Sequence, residues 1–304
     1  MSSDQALGPV VVGIAADGDN AGALALAADE ARRLGVQVRL VHAAHQVMPP
    51  PPGNLLLTYQ SLEEVAEVIL SGARHAFAEV APDVLLETVA RLGRPVDVLV
   101  AASEQASMVV LQHRSTSRLG RIFTGSTSVG VALRAHCPVV SVPSAWSPEP
   151  RGRVAVGVDE HGGPAHVLEV ALAEAAARGA SLAVVHAWQL DRPYADLATD
   201  RDAHCTWLAA ARQHLQETVA PWHARAPGVP IEIEVAPAWP ADALVEASET
   251  SDLLVLGRRG SRAPEFALGS LARTLIAHSR CPVAVVPGPD DRERLEAGEP
   301  APQA

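Results

Sequence analysis

Short apolar runs alternate along the chain with longer stretches of helical periodicity. In the first half this pattern predicts strands at residues 9–14, 36–42, 83–90, 108–111 and 138–143, and helices at residues 21–34, 61–80, 96–103 and 125–136. Strands that alternate with helices favour parallel pairing through right-handed crossovers. The first half is therefore predicted to be a doubly wound α/β domain.

The same pattern returns after a polar, proline-containing linker at residues 144–153. Gly13 recurs as Gly157 and Cys137 recurs as Cys281, each 144 residues later. A constant offset over such different elements indicates an internal duplication.

The duplication predicts two tandem domains, at residues 1–147 and 148–289. Each is expected to contain a five-stranded parallel, Rossmann-like sheet of strand order 3-2-1-4-5. Residues 290–304 are polar and end in a proline-containing stretch, so we expect a disordered tail. In this strand order the ligand crevice lies at the carboxyl ends of strands 1 and 4.

Composition narrows the function classes. The formal net charge of −11 argues against nucleic acid as a main partner. No apolar stretch reaches the roughly 18 residues of a membrane span, and the N-terminus lacks the features of a signal peptide. The three cysteines form no CxxC pair, which favours reduced thiols in a cytoplasmic protein.

A glycine loop follows the fourth strand of the second half. Gly257 and Gly260 come directly after an apolar run, and Gly269 with Ser270 begins an amphipathic stretch. Glycines let the backbone approach an anion, and the N–H groups of a helix N-terminus bind it. The chain contains no lysine, so this is not a Walker loop. Arg258 either adds positive charge here or is solvated.

The first half lacks the corresponding residues. Gln112 and Ser115 stand where the second half has its first two glycines, and Ala15 stands where it has Asp159. A glutamine places a side chain where the backbone should approach a ligand. Because the glycines and the aspartate are present together in one copy and absent together in the other, we expect a ligand in the second domain.

These residues resemble the universal stress protein family in its tandem form, over residues 9–143 and 153–287. The resemblance is carried by GVD at 157–159, VVHAW at 184–188, VLGRRG at 255–260, LGS at 268–270 and CPVAVVP at 281–287. ATP-binding members of the family resemble the pattern G-x2-G-x9-G-[ST]. Here eight residues, one fewer than in that pattern, separate Gly260 from Gly269.

The resemblance implies a set of ligand-contacting residues, each assigned by its place in the motif. They are Asp159 at the ribose or a bound metal, the backbone around Ala187 at the adenine edge, Leu256 and Gly257 at the nucleoside, and Gly260, Gly269, Ser270 and the amide of Leu271 at the phosphates.

The function implied by the resemblance is an ATP-binding sensor or regulator of the stress response, with or without magnesium at the nucleotide. Two alternatives stay open: a slow ATP-hydrolysing or adenylating enzyme of the same fold group, and a nucleotide-free interaction scaffold. The spacing of the histidines supports neither a metal site nor a Ser-His-Asp triad, so no catalytic residue or resident metal is predicted. His42 and His186 recur at a strand end, where packing is the simpler interpretation.

The fifth strand of each half, at residues 138–143 and 282–287, is expected at a sheet edge, where an exposed apolar strand needs cover. The resemblance implies that domains pair through that edge. A linker of about ten residues spans roughly 30 Å when extended, which is enough for pairing within one chain. Further association into a homodimer of chains, and a regulatory protein partner, are also expected.

Charged substitutions at Val139 and Val283 should therefore separate the two halves and expose both to protease. Limited proteolysis of the full chain measures this. The edge-pairing hypothesis is wrong if the second domain alone is monomeric and as stable as the full chain.

Overall fold

The computed structural model describes residues 7–16, 20–45, 55–113, 126–159, 165–187, 201–258 and 269–288, and of residues 55–61, 126 and 201–207 only the backbone. The chain divides into two compact units between Pro148 and Glu149. The tail predicted at residues 290–304 lies outside the described residues.

The first unit is an α/β domain whose sheet is entirely parallel. Its sheet order is β3-β2-β1-β4-β5, as the strand registers show. The described elements are β1 (Val10–Gly13), α1 (Ala21–Leu34), β2 (Val38–Ala44), α2 (Leu55–Val80), β3 (Leu86–Leu92), α3 (Pro95–Ser103), β4 (Met108–His113), α4 (Ser126–Arg134) and β5 (Val139–Pro143).

The second unit repeats this topology. Its sheet is again parallel and has the order β8-β7-β6-β9-β10. Its described elements are β6 (Arg153–Val158), α5 (Ala165–Arg178), β7 (Ser181–Ala187), α6 (Arg201–Arg225), β8 (Ile231–Ala236), α7 (Pro240–Glu249), β9 (Leu253–Gly257), α8 (Ser270–His278) and β10 (Val283–Val286).

The predicted fold class, two tandem doubly wound five-stranded sheets of order 3-2-1-4-5, is therefore confirmed. The predicted end of α1 at Gly35 is also confirmed, since Gly35 has the left-handed φ of 66° that glycine adopts without strain. Gly179 follows α5 with a φ of 61°, so the duplication extends to the helix ends.

Several predicted boundaries in the first unit differ from the structure, and the two largest differences lie at the starts of α2 and β3. Helix α2 begins at Leu55 and not near residue 61, because the leucine-rich stretch that follows the proline run has high helix propensity. Strand β3 begins at Leu86 and not at residue 83. The turn before β3 is held by the ion pair between Asp83 and Arg32 of α1, and a local sequence pattern does not reveal such a long-range contact.

Aliphatic residues of the first strands form the centre of each core. Val10, Val11 and Val12 of β1 and Val154 and Val156 of β6 have no exposed surface. Fully burying one such side chain contributes about 1.5–3 kcal/mol. The low aromatic content of 3% is thus compensated by close-packed Ala, Val and Leu.

A buried serine organises the start of the fifth strand in both units. The Ser103 hydroxyl donates to Val100 O at 2.6 Å and accepts the His136 N–H at 2.9 Å. Ser248 makes the same two contacts in the second unit, accepting the Arg280 N–H at 2.9 Å. Each serine therefore holds the residue directly before Cys137 or Cys281.

An ion pair ties the end of α1 to the turn before β3. Arg32 Nε donates to Asp83 Oδ2 at 2.9 Å, and its NH2 group donates to Oδ1 at 2.7 Å. This bidentate, charge-assisted hydrogen bonding lowers the pKa of Asp83 to about 2. Because the pKa falls on folding, the stabilisation is present above the ordinary carboxylate pKa and is lost as the pH falls through about 2.

None of the described helices is long and apolar enough to cross a membrane.

Arg32→Ala should raise the pKa of Asp83 towards the ordinary aspartate value, because the guanidinium that stabilises the carboxylate is removed. NMR titration of the side-chain carboxylates measures this shift. Arg33→Ala is the matched control, since Arg33 pairs with Glu30 and not with Asp83. An unchanged Asp83 titration in Arg32→Ala would contradict the assignment.

Cys137 and Cys281 should resist thiol reagents in the folded protein. Both thiols are free and buried, and loss of hydration raises the pKa of Cys281 to about 12. Labelling with a maleimide should accelerate only on unfolding in denaturant. Rapid native labelling of both thiols would show that the burial is not maintained in solution.

Candidate functional site

Three of the predicted ligand residues lie at one edge of the second sheet. Asp159 directly follows β6, Ala187 ends β7 and Gly257 ends β9. Strand β6 pairs in parallel with both β7 and β9, with Val158 opposite His186. All three residues therefore lie at the carboxyl ends of neighbouring strands, where open α/β sheets bind ligands.

The burial of these residues differs in a way that suits a ligand crevice. Leu256 is 4% exposed, whereas Gly257 and Ala187 are half-buried and Asp159 is exposed. Leu256 thus belongs to the core beneath the crevice. Asp159 presents a carboxylate to solvent at its mouth.

Three more of the predicted residues form the start of α8. Gly269 is the N-terminal cap of this nine-residue helix, and Ser270 and Leu271 are its first two residues. Because Gly269 has no side chain, it cannot accept a hydrogen bond from the N–H groups in the first turn of α8. Gly260 lies outside the described residues.

A buried histidine positions the chain immediately before Asp159. The His186 Nδ1 contacts Val158 O at 3.2 Å, and His42 Nδ1 contacts Ile14 O at 2.8 Å in the first unit. A carbonyl only accepts, so Nδ1 carries the proton in both rings. The sequence signal was the recurrence of this histidine, which indicated packing. The structure adds a specific contact with the end of the first strand.

Arg258 is largely buried, with 8% of its surface exposed, and its backbone N–H donates to Val286 O at 2.7 Å. It is therefore not a solvated loop arginine. The Arg258 side chain is packed against the protein next to the end of β9.

The corresponding edge of the first unit is occupied by a side chain of the chain itself. The strand registers place Gln112 opposite Val142 in β5, as Gly257 lies opposite Val286 in β10. The Ala23 N–H donates to Gln112 Oε1 at 2.7 Å, and Gln112 Nε2 donates to Pro143 O at 3.1 Å.

The end of β1 is closed by a second amide. The Ala15 N–H donates to Asn20 Oδ1 at 3.2 Å, and Asn20 Nδ2 donates back to Ala15 O at 3.4 Å. Asn20 is 4% exposed. The first unit therefore has a closed turn at the place where the second unit presents the Asp159 carboxylate.

A surface groove of about 410 Å³ between α7 and α8 is a different feature. It is lined by Asp242, Val245, Glu246, Glu249, Thr274, His278 and Arg280. Three carboxylates oppose two basic side chains there, so the groove is poorly suited to an anion. Among the described residues, no group of three or more His, Cys, Asp or Glu side chains is arranged to hold a metal ion.

Two parallel doubly wound domains in one chain define a tandem α/β protein of the Rossmann-like class. The sequence profile of the universal stress protein family matches residues 7–143 and again residues 150–287. The chain belongs to this family and contains two copies of its domain.

Full-length relatives occur in mycobacteria. Universal stress protein Rv2005c of Mycobacterium tuberculosis is 30% identical over 291 residues, covering 91% of this chain and 96% of the relative. Universal stress protein Rv1996 of the same species is 29% identical over 313 residues, covering 96% and 98%.

Solved structures show the same tandem architecture. The crystal structure of a universal stress protein from Archaeoglobus fulgidus superimposes with a TM-score of 0.64 at 18% identity, covering 91% of this chain and 98% of that one. A functionally unknown protein from Pseudomonas aeruginosa gives a TM-score of 0.59 at 16% identity, with coverages of 96% and 97%. At these identities the likeness concerns the fold alone.

Proposed function

We propose that this universal stress protein binds one adenine nucleotide, ATP, in the crevice of its second domain and acts as a sensor or regulator. One contrast carries the proposal. At the end of the fourth strand the second domain has Gly257 beside Asp159, whereas the first has Gln112 with both polar ends of its amide hydrogen-bonded.

The chemistry of the second crevice suits a nucleotide. The Asp159 carboxylate accepts hydrogen bonds from a ribose hydroxyl, or coordinates a magnesium ion that accompanies the phosphates. Leu256, Gly257 and Ala187 offer an apolar and narrow surface for the nucleoside. The first-turn N–H groups of α8, at Ser270 and Leu271, are suited to bind the phosphates, and Gly260 is assigned to the same role by its place in the sequence motif.

The regulatory part of the proposal rests on the absence of a general base among these assigned residues other than Asp159, which is exposed. A carboxylate in that environment is suited to binding and not to efficient proton abstraction. ATP occupancy is then the signal that a protein partner detects. Free, buried cysteines support a reducing, cytoplasmic setting for this function.

Calorimetry with ATP should give one site per chain. Asp159→Ala should weaken binding by roughly 10- to 100-fold, the range for losing a hydrogen bond to a charged group. Glu249→Ala is the control, because Glu249 ends α7 at the opposite edge of the sheet. Two equivalent sites, or none, would contradict the proposal. Turnover at ordinary enzyme rates would favour an enzyme instead.

A further inference from the structure

The two domains differ by a reciprocal exchange of a large and a small residue at corresponding positions of the first helix and the fourth strand. Helices α1 and α5 each have 14 residues and begin at Ala21 and Ala165. Gly22 in the first unit therefore corresponds to His166 in the second. At the facing strand end, Gln112 in the first unit corresponds to Gly257 in the second.

The glycine in the first unit makes room for the glutamine. A Cβ atom built on Gly22 would lie 3.1 Å from Gln112 Oε1 and 3.2 Å from Nε2, closer than ordinary van der Waals contact. A larger residue at position 22 would push the amide away from the helix. The Gln112 side chain and the missing side chain of Gly22 thus form one packing unit.

The glutamine satisfies groups that are otherwise costly to bury. Ala23 has no exposed surface, and its N–H lies in the first turn of α1, where no residue of the helix itself can accept it. Gln112 Oε1 accepts that N–H at 2.7 Å, and the other end of the amide binds the carbonyl at the end of β5. An amide oxygen thus makes the contact that an anionic ligand oxygen makes with a helix N-terminus.

We propose that Gln112 closes the first crevice and takes the place that a ligand would occupy there. The difference between the pair Gly22–Gln112 in the first domain and the pair His166–Gly257 in the second then determines which domain binds nucleotide. In the second unit Gly257 offers no side chain that could accept the Val167 N–H group as Gln112 accepts that of Ala23, and in this proposal a ligand oxygen takes that role. The binding part of this inference rests on the proposed function. The closure of the first crevice does not.

The first test measures closure without any ligand. In the full chain, Gln112→Ala should make the Ala23 amide exchange with deuterium about tenfold faster, as expected for losing one net hydrogen bond. Gln112→Glu keeps an acceptor for Ala23 and should retain protection. Gln105→Ala is the matched control, because Gln105 is an exposed glutamine in the turn before β4. Unchanged exchange at Ala23 in Gln112→Ala would overturn the proposal.

The second test transfers the closure to the other half. The double variant H166G/G257Q recreates the first-unit pair in the second crevice, and should lower ATP affinity more than tenfold relative to H166G alone. It should also slow amide exchange at Val167, the counterpart of Ala23. Equal ATP affinity of the two variants would overturn the proposal.

The two tests distinguish failure of the proposed function from failure of the closure proposal. If the wild-type chain binds no ATP, the proposed function fails, and exchange at Ala23 and Val167 still decides whether the glutamine bridge exists. If H166G/G257Q does not fold, as far-UV circular dichroism would show, the Gln112 variants of the first unit decide the question alone.

Discussion

The parallel pairing of the first strand with its two neighbours is the constraint on which the rest of each domain depends. Strand β6 lies between β7 and β9, and its central residues have no exposed surface. A slip of β6 by one residue would move every one of its side chains to the other face of the sheet and disrupt the packing on both faces. With the register fixed, the carboxyl ends of all five strands meet at one edge, where the crevice must form.

Duplication has preserved supporting contacts at both edges of each sheet. The histidine that holds the end of the first strand recurs as His42 and His186, and the serine before the fifth strand recurs as Ser103 and Ser248. These groups satisfy buried backbone atoms, so losing either partner leaves a polar group without compensation. Such contacts are needed in both domains, whether or not a ligand binds.

The residues at the crevice can differ between the two domains, because its backbone polar groups can form hydrogen bonds either with a ligand or with a side chain of the protein. A helix N-terminus that faces a gap is stabilised equally by a bound anion or by an amide of the chain. The first domain uses Gln112 for this purpose, and Asn20 bonds the neighbouring backbone at Ala15. Under the proposed function, a tandem protein built this way has one domain that responds to nucleotide and one whose corresponding site is closed by its own side chain.

The sequence by itself determined the duplication, the alternation of strands and helices, and the sheet edge at which a ligand is expected. These features follow from periodic apolar runs and from the rule that parallel strands end at one edge. Local pattern misplaced the start of β3, because the turn at Asp83 depends on Arg32 from a distant helix. The local pattern also did not reveal the hydrogen bonds of His186 with Val158 and of Arg258 with Val286, because the partners in each bond are 28 residues apart.

Only the tertiary structure decided what fills the first crevice. The sequence showed that Gln112 replaces a glycine, and from that alone the glutamine was an obstacle to a ligand. The fold brings Gln112 within hydrogen-bonding distance of a helix turn 89 residues earlier and a strand end 31 residues later. A side-chain amide becomes a substitute for ligand through these long-range distances, which no spacing along the chain encodes.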